Sequence, residues 1–148
     1  MTLAQLKSEL EQIKGEADLL VESAPAKKFD AVSLPRGRAL GAVKADTTRR
    51  TGVRNWVRKL LDGLLEMVRK ALCCKGLTQI DSEEERAAVT EKLVKAILTA
   101  VPAQYKLLIP LFKPLLRRAV RKVVDYLATQ GERMCEGVTC SLSPLAIS

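Results

Sequence analysis

A chain of 148 residues with 47% apolar side chains is long enough for one domain with appendages, and 3% aromatics makes its core aliphatic. It has no histidine, which removes the commonest general base and the commonest metal ligand. A net charge of +8 points to a polyanionic partner: nucleic acid, an anionic membrane or an acidic protein.

The start, MTLAQLKSELEQ, shows no charged n-region, apolar h-region or cleavage site, so no signal peptide is expected. The greasiest run, residues 93–116, carries Lys95, Lys106 and Lys113 as well as Pro102, Pro110 and Pro114. A membrane-spanning helix should not hold these in mid-segment, and none is expected. Charge is uneven along the chain. Residues 1–23 are acidic on balance, whereas residues 24–76 hold most of the positive excess and residues 102–148 a smaller share.

A first helix is predicted from Leu3 to about Ser23, with Thr2 as cap and Gln5 at the reciprocal capping-box position. Leu3, Leu6, Leu10, Ile13, Ala17 and Leu20 recur in three- and four-residue steps, as in a coiled coil. Glu9 and Lys14 would pair across the seam of a parallel dimer. A homo-oligomer through residues 3–20 and docking as a fourth helix on the chain's own bundle are equal alternatives. Residues 24–46 lack periodicity and contain Pro25, Pro35, Gly37 and Gly41, which reads as a basic linker. Phe29, Val32, Leu34, Leu40 and Val43 are the side chains able to tack it into a groove.

A second helix is expected to start at Thr47–Thr51 and to stop at Gly76 behind Lys75. Trp56, Val57, Leu60, Leu61, Leu64, Val68 and Leu72 share its apolar face. Arg58, Asp62, Glu66 and Lys70 would form an i, i+4 charge ladder on the other face. The third helix has a capping box, Ser82 followed by Glu83, Glu84 and Glu85, and should end at Pro102. Its wide apolar arc makes it the expected central helix. Pro110 and Pro114 should not lie within one helix, so a short turn is expected at residues 105–112 and a fourth helix from Pro114 to Gly131. Arg117, Arg118, Arg121 and Lys122 cover its polar face. These elements imply an all-α fold, an antiparallel three-helix bundle with an extra N-terminal coiled-coil-like helix and a cysteine-containing C-terminal tail. Its divisions fall at 1–23, 24–46, 47–131 and 132–148.

That topology brings Cys73, Cys74, Cys135 and Cys140 to one end of the bundle. Two bridges from the first pair to the second would close loops of about 60 residues, each stabilising by about 4 kcal/mol in the chain-entropy model. Spacing does not choose the partners. Reduced thiols and S-acylation of the adjacent pair are the alternatives, and the spacing is a poor match to zinc ligands. No metal or cofactor is expected. Pro102 and the run VVDYLATQGERMCEGVTC resemble saposin-like lipid-binding domains, which are cysteine-stapled helical units with a proline between central helices. The resemblance covers residues 73–140 and implies a helical lipid-binding unit. The adjacent first cysteines and the missing central disulfide depart from that pattern, so no residue roles are transferred.

No nucleophile, base and orienting group can be assembled, so an enzyme is not expected. The sequence favours a basic helical module that binds an anionic lipid or membrane surface. Arg49, Arg50, Arg54, Arg58, Lys59, Arg117, Arg118, Arg121 and Lys122 are the expected contacts to that surface, and Trp56, Tyr105, Leu108 and Phe112 the apolar ones. Phosphate-directed nucleic-acid binding and a scaffold role in an oligomeric assembly are the alternatives. No small-molecule substrate is indicated.

Overall fold

The computed structural model describes residues 1–34 and 41–140, and these form an all-α fold. Arg36, Arg38 and Leu40 of the expected linker, and the end of the tail from residue 141, lie outside the described residues. Five α-helices follow in order: α1 (Leu3–Ser23), α2 (Ala42–Asp62), α3 (Leu64–Cys74), α4 (Glu83–Thr99) and α5 (Ile109–Gln130). Short 3-10 turns occupy Ala26–Phe29, Ala103–Leu108 and Gly131–Cys135.

The boundaries set by local chemistry fall where the sequence places them. The Thr2 hydroxyl accepts from the Gln5 amide while Gln5 reaches back to the Thr2 amide, and Ser82 and Glu85 do the same for α4. Gly76 and Gly131 both carry a positive φ, which ends α3 and α5 at the expected glycines.

Four expectations need correction. The expected second helix begins earlier, at Ala42, and divides at Gly63 into α2 and α3. Glycine is a weak helix former, and here it caps one helix and opens the next, its amide bonded to the Lys59 carbonyl. The last helix begins at Ile109 and runs through both prolines. Pro110 sits in the first turn, where an amide has no helical partner anyway, so only Pro114 forfeits a bond. The charge ladder does not form either: Arg58 pairs with Asp18, Asp62 with Lys14, and Glu66 with Arg69.

The fourth correction concerns the centre. α5, not α4, is the hub, with α1, α3 and α4 packed around it and α2 resting on α1. Ala119, Val120, Val123, Val124 and Leu127 of α5 are sealed from solvent. The buried side chains of α4, Val89, Leu93, Val94 and Ile97, form a stripe turned to α5. Of the rest of its apolar arc, Ala87 and Ala100 are exposed and Ala96 and Leu98 only half-buried, and this is why the composition of the arc overstated its contacts.

Of the expected a and d positions of α1, Leu6, Leu10, Ile13 and Ala17 are covered within the chain, while Leu20 is half-buried and Leu3 exposed. Leu6, Leu10, Ile13, Ala17 and Val21 join the common core. The described part of the linker is pinned as well, because Phe29 and Val32 are buried in that core, while Val43 is exposed in the first turn of α2. Arg50 locks this corner. It donates to the carbonyls of Val21 and Glu22 at the end of α1, pairs with Asp46, and lies 4.6 Å over the Phe29 ring.

Cys73 meets Cys135 and Cys74 meets Cys140 at disulfide distance, joining the end of α3 to the chain that follows α5. The two loops interleave, with their ends adjacent in sequence, so the first bridge closes a long loop and the second only a short ring. Their stabilisation is therefore unequal, about 4 kcal/mol for whichever closes first and about 2 kcal/mol for the other in the chain-entropy model. Replacing Cys74 and Cys140 together by alanine should lower stability in urea by about 2 kcal/mol, and replacing all four by about 6 kcal/mol. Arg50→Ala should cost about 2 kcal/mol in the same measurement, because the α1 carbonyls and Asp46 lose their charged donor together.

Candidate anionic-surface site

The expected cationic contacts divide into two populations. Nearly all the arginines are engaged inside the fold. Arg54 and Arg58 of α2 reach Asp18 of α1, and Arg54 also reaches Glu22. Arg50 holds the corner described above, and Arg49 donates to the Val32 carbonyl. On α5 two rows spaced by four residues face opposite neighbours. Arg117 pairs with Glu91 and Arg121 with Glu83, both on α4. Arg118 pairs with Glu16 and Lys122 with Glu9, both on α1. The acidic excess of α1 is thus set against the basic excess of α2 and α5. Glu9 and Lys14, expected across a dimer seam, both make their pairs within the chain.

These pairs also fix helix directions. Residue numbers rise on α1 as they fall on α2 and α5, and they rise on α4 as they fall on α5, so both α1 and α4 run antiparallel to the hub.

The charge states respond accordingly. Hydrogen bonding to Arg121, and then its charge, hold the Glu83 carboxyl below the usual glutamate range. Arg121 is raised in turn by its bonds to Glu83 and Asp125. Arg58 is raised chiefly by its bond to Asp18. Burial alone would discourage the charge of Lys14, but its bonds to Asp62 and Glu11 outweigh that and raise its pKa.

Lysines behave differently. Apart from Lys14 and Lys122, they have no ion-pair partner among the described residues. Lys59, the one expected contact without a partner there, is exposed on α2. Lys27, Lys28, Lys44, Lys95, Lys106 and Lys113 gather toward the end of the bundle opposite the disulfides, where α1 and α4 finish and α2 and α5 begin. The turn after α1 contacts the turn before α5 there, and the Ser33 amide donates to Gln104 at 2.8 Å. From residue 92 to residue 124 the chain has no acidic side chain at all. Composition and periodicity do not single out this group; the acid-free run is the visible signal for its members Lys95, Lys106 and Lys113.

The expected apolar contacts do come together at this end. Trp56 stacks on Tyr105 with ring centroids 4.5 Å apart, and both line a small apolar chamber with Leu108 and Phe112. Its volume is about 30 Å³, room for little more than one water molecule. Leu108 and Phe112 are buried core residues, while Trp56 and Tyr105 are half-buried. Three large apolar side chains stand out toward the same end: Leu19 at 64%, Val43 at 81% and Leu107 at 58% exposure.

Among the described residues no group of three or more histidine, cysteine, aspartate and glutamate side chains converges to hold a metal ion, and no helix is long and apolar enough to cross a membrane. No family model matches the chain, and neither a curated protein nor a solved structure is similar to it.

Glu83 supplies a direct check on the electrostatics. Because its folded pKa lies below its unfolded value, its pair with Arg121 stabilises above the ordinary carboxylate range and is lost as pH falls through the folded value. A carboxyl-detected NMR titration should find Glu83 below the usual glutamate pKa, and Arg121→Gln should move it upward. A Glu83 titration unchanged by that substitution would refute the pairing.

Proposed function

We propose that the protein is a non-catalytic helical module that docks on an anionic membrane surface through its lysine-rich end. One observation carries this reading: lysines with no ion-pair partner among the described residues share that end with the exposed Leu107, Val43 and Leu19. Lysine suits such contact, since its ammonium is a mobile point charge on a long apolar stem. Each lysine near an anionic leaflet contributes about 1 kcal/mol, an attraction that salt screens. An apolar tip such as Leu107 adds a share that persists when salt is raised. The contact set thus moves from the arginines of α2 and α5, which are occupied by carboxylates, to Lys44, Lys95, Lys106, Lys113 and their neighbours.

Co-sedimentation with vesicles tests this. The protein should bind vesicles of phosphatidylcholine mixed with phosphatidylserine and leave those of phosphatidylcholine alone. Lys44→Glu combined with Lys106→Glu should weaken binding about tenfold or more at low salt without changing the helical circular dichroism spectrum. Leu107→Ser should remove the part that survives high salt. Arg118→Glu should instead destabilise the fold, because it sets a carboxylate against Glu16. Equal binding to both vesicle types would overturn the reading. Binding to duplex DNA with none to vesicles would replace it with phosphate-directed nucleic-acid binding.

A further inference from the structure

Beside the docking end, α4 and α5 leave an open groove of about 560 Å³. Lys92 and Lys95 stand on its α4 wall and Lys113 on its α5 wall, with Leu98 and Thr99 also lining it. The volume falls within the ~300–1,000 Å³ typical of small-molecule sites. Lys92 and Lys95 are three residues apart on one helix, so their Cβ atoms are about 5–6 Å apart on the same face. Lys113 stands on the other helix, so lysines line the groove on both of its walls. The one acid in the lining, Glu91, is held by Arg117 at 2.7 Å, so its charge is already answered.

From this arrangement we infer that the α4–α5 groove binds the multiply phosphorylated head of an anionic lipid. The charge pattern selects the class. A single phosphodiester or carboxylate would satisfy one ammonium and leave the others facing each other, whereas a head bearing several phosphates gives each lysine its own anion. Three flexible donors without a planar fork suit phosphates spread around a ring better than a single bidentate anion. Leu98 connects the groove to the membrane-facing end, because it also lines the apolar chamber beneath Trp56 and Tyr105. A head seated among the lysines would thus lie beside that end. The inference rests on the membrane reading above for its lipid, and the groove's chemistry would serve a free polyphosphate equally.

Calorimetric titration of the intact protein with a soluble inositol trisphosphate, beside vesicle binding, separates these cases. Wild type should bind the soluble head, and adding a phosphatidylinositol bisphosphate to phosphatidylserine vesicles should strengthen docking. Lys92→Glu combined with Lys95→Glu should weaken the soluble binding by about tenfold or more, whereas Lys44→Glu with Lys106→Glu should leave it largely intact. Both pairs are exposed lysines without ion-pair partners among the described residues, so helical circular dichroism should be unchanged in each. Binding to phosphatidylserine vesicles without any to the trisphosphate would overturn the groove while sparing the membrane reading. Binding to the trisphosphate without any to vesicles would keep a phosphate groove but refute its lipid source. Equal affinity in wild type and the groove variant would show that the phosphates sit elsewhere and refute the assignment.

Discussion

The fold depends on the way α5 presents its charges to two neighbours at once. Its buried stripe, Leu116 through Leu127, supplies the cohesion, since apolar burial at about 25 cal/mol per Å² outweighs half-exposed ion pairs worth about 0–1 kcal/mol each. The pairs do something that burial cannot. A helix with an aliphatic stripe can slide by a turn against another aliphatic stripe at modest cost. Placing Arg117 and Arg121 against α4, and Arg118 and Lys122 against α1, makes such a slide set like charges together. Direction and register are therefore chosen electrostatically, while stability comes from the core. α1 contributes to this arrangement on both sides, its carboxylates answering basic side chains of α2 and of α5.

That role also explains why arginine and lysine part company. A guanidinium offers a fork that can bond a carboxylate or two carbonyls while lying over a ring, as Arg50 does over Phe29. Arginine consequently holds the interhelical seams. The remaining positive charge is left to lysines, and the topology delivers many of these to the end opposite the disulfides. A net charge of +8 read from composition suggests a basic face on every basic helix. In the folded chain most described arginines are answered within the fold, and six of the lysines without an ion-pair partner among the described residues gather at one end.

What was legible in the sequence was what local chemistry decides. The capping boxes at Thr2 and Ser82 and the glycine stops at Gly76 and Gly131 each depend on residues a few positions apart. The helical class and the shared end of the four cysteines followed from helix order. The rest was decided over long range. No periodicity shows that Asp18 answers Arg58, forty residues away, and that pairing is what dissolves the ladder expected along one helix. The choice of Cys135 for Cys73 likewise needs the turn at Gly131–Cys135 to be built first. Pro114 misled because a proline one turn into a helix costs a single bond, which the packing of Phe112 and Leu116 into the core offsets.

The distribution of constraints along the bundle has a functional consequence. At one end two covalent bridges tie α3 to the chain beyond α5, and Leu72, Ile80 and Met134 are packed close by in sequence. At the other end no described cross-link exists; the turns are joined by the Ser33–Gln104 bond, the Arg50 corner and the Trp56–Tyr105 stack. Local opening is favoured where backbone is exposed and covalent ties are absent. That end also carries the unpaired lysines, Leu107 and the small chamber. On the membrane reading proposed above, a surface that settles onto headgroups would gain from side chains and turns that can adjust, provided the helices behind them keep their register. Here the disulfides and the α5 ion pairs keep the register, which leaves the exposed Lys106 and Leu107 able to adjust while Leu108 stays in the core.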